Sequence, residues 1–174
     1  PNADLSVSGG TLSAVSSSDG GVTWTATFTP SSNLESTGNL ITLNNAGVTD
    51  KAGNAGTGVT DSNSYAIDTV RPTATIVVAD NHLQIGDTSL VTITFSEAVS
   101  DFDNSDLNVS GGTLSTVSSS DGGVTWTATF TPAADHTSTG NVITLTNTGY
   151  ADAAGNSGMG TTVSTAYAVD TIDP

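Results

Sequence analysis

Cysteine is absent from the 174 residues, which excludes disulfides, thiol catalysis and thiolate metal sites. Basic side chains are nearly absent too: Lys51 and Arg71 stand against 17 acids, for a formal net charge of −15. Only 11% of residues are charged, so the chain is acidic because bases are missing. No nucleic-acid partner is expected without a basic surface, and no direct contact with anionic lipid. No apolar run approaches the roughly 18 residues of a membrane span, and no signal-peptide pattern is visible. Helix formers such as Lys, Glu, Gln, Arg and Met are scarce. Gly, Ser, Thr, Asp and Asn dominate instead, a composition suited to short strands and many turns.

The chain repeats itself. DLSVSGGTLSAVSSSDGGVTWTATFTP from Asp4 returns as DLNVSGGTLSTVSSSDGGVTWTATFTP from Asp106, an offset of 102 residues. The offset holds without insertion at Trp24/Trp126, Gly38/Gly140, Asp50/Asp152, Tyr65/Tyr167, Asp68/Asp170 and Pro72/Pro174, and about two-thirds of the aligned positions are identical. This period is far too long for a solenoid unit of about 20–50 residues. It matches one immunoglobulin-sized sandwich of about 100 residues. Residues 1–69 are read as a repeat lacking its opening strands and residues 70–174 as a complete repeat, because Thr73–Phe102 has no counterpart in the first. Two explanations stand: a cut in a longer array, or strand complementation of the first unit by another chain.

In the second repeat the hydrophobic pattern has period two. Ala74, Ile76 and Val78 alternate; so do Val91, Ile93 and Phe95, and Val124, Trp126, Ala128 and Phe130. Ile143 with Leu145, and Tyr167 with Val169, continue the set. The expectation is all-β: tandem immunoglobulin-like β-sandwiches with seven antiparallel strands per complete unit. Asp80–Ser89 and Ala133–Gly140 are expected as loops at the pole far from the linker.

Nearly every acid falls in a loop or linker. Antiparallel order places Glu97, Asp101, Asp103, Asp121 and Asp152 at the near pole, and the linker feeds Asp68 into the same region. Carboxylates gathered there repel one another unless a cation sits among them. Hard oxygen ligands from several loops suit Ca²⁺, which takes six to eight oxygens in irregular geometry. Zinc is disfavoured by the missing Cys and by far-pole positions for both His82 and His136. Asp152-Ala-Ala-Gly-Asn156 resembles a short metal loop and recurs as Asp50-Lys-Ala-Gly-Asn54. Taken alone, such a loop reads equally as an Asx turn. Asp103 and Asp121 read equally as solvated residues, and Asp106 as a turn cap.

Trp24 and Trp126 lie on the apolar face of alternating strands and are expected to pack in cores rather than stack on sugars. No Gly-x-Ser-x-Gly elbow, P-loop or dinucleotide fingerprint occurs, and no catalytic constellation is expected.

The run TFSEAVSDFDNSDLNVSGGTL, followed by WTATFTP, DAAGN and a closing VDT–P linker, resembles the bacterial Ig-like repeats of giant secreted adhesins. These are the repeats-in-toxin type and biofilm-associated surface proteins. The resemblance implies calcium at domain junctions, on Asp68, Glu97, Asp101, Asp152 and Asn156, with only Asp50 and Asn54 remaining in the first unit. It implies a non-catalytic extender on the bacterial cell surface, exported by type I secretion, whose partners are the neighbouring repeats and which projects a distal ligand-binding domain. A unit built on strands of about ten residues would then contribute on the order of 40 Å of reach. A glycan- or surface-binding module, or homophilic adhesion between arrays, is the rival reading. Either needs an exposed platform.

Overall fold

The computed structural model describes residues 1–174. The chain divides into two compact units, Pro1–Val70 and Arg71–Pro174. The first contains β1 (Leu5–Val7), β2 (Gly10–Leu12), β3 (Phe28–Pro30), β4 (Glu35–Asn39), β5 (Ile41–Asn44), β6 (Val59–Asp61) and β7 (Tyr65–Asp68). The second contains β8 (Ala74–Val78), β9 (His82–Gln84), β10 (Ser89–Phe95), β11 (Leu107–Val109), β12 (Gly112–Leu114) and β13 (Ser118–Ser119). It continues with β14 (Thr125–Pro132), β15 (Thr137–Asn141), β16 (Ile143–Thr146), β17 (Thr161–Val163) and β18 (Tyr167–Asp170).

The second unit is a β-sandwich. One sheet runs β12-β14-β10-β8, with β13 also paired to β14; the others run β11-β16-β17 and β15-β18-β9. Period-two alternation sends one face of each strand inward. Ile76 and Val78 of β8, Val91, Ile93 and Phe95 of β10, Phe130 of β14, Ile143 and Leu145 of β16, and Tyr167 and Val169 of β18 meet in one core. Leu83 of β9 joins them, buried from a segment expected to be a far-pole loop.

Two details depart from the expected seven antiparallel strands. The unit uses eleven strand segments, and β9 pairs with β18 in parallel, aligning Leu83 with Val169. The extra segments are β9, β15 and β17, and β13 as a fragment separated from β12. Thr137–Asn141 carries no alternation, since its sequence is Thr-Ser-Thr-Gly-Asn.

The same local pairings recur in the first unit. Leu5 lies opposite Leu43 as Leu107 does opposite Leu145. Glu35 lies opposite Asp68 as Thr137 does opposite Asp170. Its sheets are β1-β5-β6, β2-β3 and β4-β7, with no strand equivalent to β8, β9 or β10. Ile67 is the one buried hydrophobic residue in Pro1–Val70.

Candidate metal centre

The near pole of the second unit is stitched from three loops. Ser100 and Ala151 exchange backbone hydrogen bonds at 2.8 and 3.2 Å, joining the loop after β10 to the Asp152 loop. The Val99 N–H donates to the Gly123 carbonyl at 3.1 Å, adding the turn before β14. Below them lies an aromatic floor. Phe95 meets Phe102 and Tyr150 edge-on at 5.2 and 4.6 Å, and Phe102 meets Trp126 at 5.2 Å. Edge-to-face packing of this kind adds to simple burial and fixes where the loops sit.

That frame brings Glu97 and Asp152 together: ligand oxygens of the two carboxylates lie within 4.8 Å of one another. Glu97 is half-buried and Asp152 is buried, at 4% exposure. Burial opposes the charge on Asp152, but hydrogen bonds outweigh it. The Asn156 side chain and the backbone N–H groups of Asn156, Ala154 and Gly155 hold its carboxyl below the usual range. Asp152 Oδ1 accepts from the Ala154 and Asn156 N–H groups, both at 2.8 Å, and Oδ2 accepts from Asn156 Nδ2 at 2.8 Å.

A carboxylate offers about four lone-pair positions, so these three bonds leave Asp152 about one. The donor set therefore suits single-oxygen coordination by Asp152, with Glu97 beside it and further oxygens from carbonyls and water. A hard cation such as Ca²⁺ accepts that irregular mixture. Asn156 meets the carboxylate with its amide nitrogen, so its role at this bond is to hold the turn.

The first unit supplies an internal comparison. Asp50 Oδ1 accepts from the Ala52 and Asn54 N–H groups at 2.8 and 2.9 Å, and Oδ2 accepts from Asn54 Nδ2 at 2.9 Å. The same turn closes in a unit without a counterpart of Glu97. Its hydrogen bonds alone account for the Asp-x-x-Gly-Asn shape, as expected of an Asx turn. In the second unit Glu97 lies beside this turn.

The other expected ligands have different surroundings. Asp68 closes β7, and its Oδ1 accepts from the Val70 N–H at 3.1 Å. Asp101 is exposed, sits at a left-handed φ of 66°, and accepts from Ser100 Oγ at 3.3 Å. It does not join the acids around Asp152.

Asp103 caps the short 3₁₀ turn Asn104–Asp106. Its Oδ1 accepts from Ser105 N–H at 2.7 Å, and Asp106 Oδ2 accepts from Asp103 N–H at 3.0 Å, a reciprocal capping box. The Ser105 hydroxyl, then its N–H, lowers the Asp103 carboxyl below its usual range. The acid three residues on, Asp106, is the sequence signal for this cap. Asp121 is likewise occupied in a turn, accepting from Thr125 N–H and from Ser119 Oγ, both at 2.9 Å.

Arg71 has a part that the sequence reading did not give it. Its Nη1 donates to the Ser157 carbonyl at 2.6 Å, bringing a positive charge to the end of the Asp152 loop. Of the tryptophans, Trp126 packs against the core through Phe102. Trp24 does not: it is 57% exposed, against the expectation of core packing, and its Nε1 donates to the Gly21 carbonyl at 3.1 Å. Tyr65 and Tyr167 both reach back to backbone, donating to the Ser8 and Ser110 carbonyls.

A shallow cleft of about 310 Å³ at the other pole is bordered by Gln84, Asp87, Asp135 and Asp173, without a His, Lys or Arg to pair with a nucleophile. No helix is long and apolar enough to cross a membrane.

Tandem β-sandwich units, loop-borne acids and hydrogen-bonded corner tyrosines define an immunoglobulin-like module. The chain belongs to the bacterial Ig-like domain family, whose model matches residues 1–67 and again 68–169. Domains of this family are typically non-enzymatic and are common in extracellular and surface proteins. No curated protein and no solved structure matches the chain.

Proposed function

We propose that this chain is a spacer segment of a bacterial surface adhesin, non-catalytic, with calcium stiffening the junctions between its repeats. The observation that carries the reading is the Glu97–Asp152 carboxylate pair, held within 4.8 Å on a loop frame beside the start of the second unit. Two acids at that range favour a cation between them. Asp68 lies two residues upstream of the division after Val70, so chain connectivity makes it a natural third ligand. Near-identical neighbours suit a structural repeat, since length can be added by copying a unit. A type I secretion route fits the absence of cysteine. The chain's partners in this reading are further repeats, with a distal domain carrying ligand specificity.

The glycan-binding alternative needs an aromatic platform. Trp126 is packed against Phe102, and exposed Trp24 lies on what is the core-facing side of the equivalent strand.

Calcium titration of the 174-residue chain by calorimetry, with small-angle scattering in parallel, tests the proposal. The expected result is binding with a Kd of about 0.1–1 mM, the range of extracellular modules, together with a stiffer particle. Glu97→Gln should abolish binding while leaving the fold intact, and Asp68→Ala with Asp152→Ala should do so as well. Absence of heat at millimolar calcium, with unchanged scattering, overturns the calcium mechanism.

A further inference from the structure

Only two of the 174 residues are basic, and each serves one of the two Asp-x-x-Gly-Asn loops. Lys51 follows Asp50 within the first loop. In the second loop the equivalent residue is Ala153, and the positive charge comes instead from Arg71, through its bond to Ser157. The position equivalent to Arg71, 102 residues on, is Asp173. The base is thus supplied from a different place in each repeat, but to the same loop.

Arg71, Glu97 and Asp152 all belong to the second unit, and the backbone beside Arg71 is fixed. Pro72 is fully buried. The Thr73 N–H donates to Ser96 Oγ at 2.9 Å, and the Ser96 N–H donates to the Thr73 carbonyl at 2.9 Å. Ser96 directly precedes Glu97. The root of Arg71 is therefore tied to the strand end that carries one acid.

Its guanidinium is tied to the loop that carries the other. Nη1 reaches the Ser157 carbonyl at 2.6 Å, and Ser157 pairs with Ala151, the residue before Asp152. The side chain straps the two sides of the carboxylate pair together. Its bond is charge-assisted, and a guanidinium stays charged wherever the acids are ionised.

We propose that Arg71 is the resident counter-ion of the Glu97–Asp152 pair, a positioning residue that holds the two loops closed before any metal arrives. Its consequence for affinity rests on the calcium reading above. An ion entering beside Glu97 and Asp152 does so against a fixed positive charge, so Arg71 holds the affinity down. That keeps the response in the millimolar range of extracellular calcium sites rather than below it.

The test compares the full chain with Arg71→Gln, which loses the charge and is too short to span the strap, and Arg71→Lys, which keeps the charge. Amide hydrogen exchange is followed by NMR in EDTA. Arg71→Gln should speed exchange of the Ala154 and Asn156 amides, both bonded to Asp152 Oδ1, at least tenfold. The amides of β10 and β14 should keep the parent's rates, which shows that the fold is intact. Calcium is then titrated by calorimetry, counting only the heat that Glu97→Gln removes. At low salt Arg71→Gln should bind about fivefold more tightly than the parent, and Arg71→Lys within twofold of it. The difference should vanish in 0.5 M NaCl as screening takes over (the Debye length at that salt is about 4 Å), a response that a purely structural role does not give. Unchanged exchange at Ala154 and Asn156 in Arg71→Gln overturns the strap. Equal calcium affinity in the Gln and Lys variants overturns the counter-ion. Absence of calcium heat in all three proteins overturns the calcium reading and the competition with it, and exchange without metal then decides the strap alone.

Discussion

Asp121 shows how a solvent-facing acid becomes structural. Thr125, through its N–H and then its hydroxyl, and the Ser119 hydroxyl bring the Asp121 carboxyl down from 3.8 to about 2. Asp19, bound by Thr23 and Ser17 in the equivalent turn, is held well below the usual range as well. A depressed folded-state value means that the carboxylate's contribution is fully present above the ordinary value. It is lost as pH falls from near 4 towards 2. Thermal melts read at Trp126, in a chain carrying Trp24→Phe, should therefore lose stability across that window. Asp121→Asn should flatten the loss and leave the melts above pH 5 less stable than the parent. Equal slopes in the two proteins would show that the turn does not depend on the charge. Asp152 and Asp50 belong to the same class, so acid stability in this protein is set largely by turns.

At the scale of elements, the near-pole turn before β14 depends on glycine at a close approach. Gly123 has φ 101°, and a Cβ there would sit 2.5 Å from the Val99 carbonyl oxygen. Gly21, its counterpart, has φ 95° but only Trp24 Cζ2 nearby, at 3.8 Å. Both Ala substitutions strain the backbone, and such changes cost more than about 1 kcal/mol. Gly123→Ala should cost clearly more than Gly21→Ala, measured by urea denaturation read at the tryptophan of each unit. Strands were legible from sequence where alternation was strong, as in Val91-Thr-Ile93-Thr-Phe95, because a single buried face imposes period two. Thr137–Asn141 was illegible because its side chains carry no such pattern and its strand identity comes from pairing with β18. His82–Gln84 was hidden for a related reason: its partner lies far away in sequence and runs parallel. The meeting of Glu97 with Asp152 followed from antiparallel order alone. The diversion of Asp103 into a cap did not, since it depends on the Ser105 N–H its carboxylate serves and not on its place in a loop.

At the scale of the whole chain, the two units have similar sequences and different cores. Tyr150, Phe130, Ile143 and Leu145 are at most 1% exposed in the second, whereas Val22 and Trp24 of the first are 85% and 57% exposed. Stability follows buried apolar area, so unfolding should occur in two steps. Trp24 should report a low-urea transition, or none, and Trp126 a later cooperative one. Coincident transitions in the two single-tryptophan proteins would refute this ordering. The alternating pattern that buries the Trp126 face does not bury Trp24, which is exposed against the expectation of core packing.

The octapeptide Thr-Trp-Thr-Ala-Thr-Phe-Thr-Pro, repeated at residues 23–30 and 125–132, also bears on assembly during synthesis. Adjacent repeats with identical acceptor strands present a growing chain with more than one correct-looking place for each incoming hairpin. Exchange between neighbours is a characteristic failure of repeat proteins. The run of five mismatches from Ser31/Ala133 to Glu35/Thr137, between identical stretches, is then a means of telling one repeat from the next. Making Ser31–Glu35 identical in sequence to Ala133–Thr137 should lower the yield of correctly folded monomer, read by size-exclusion chromatography after refolding.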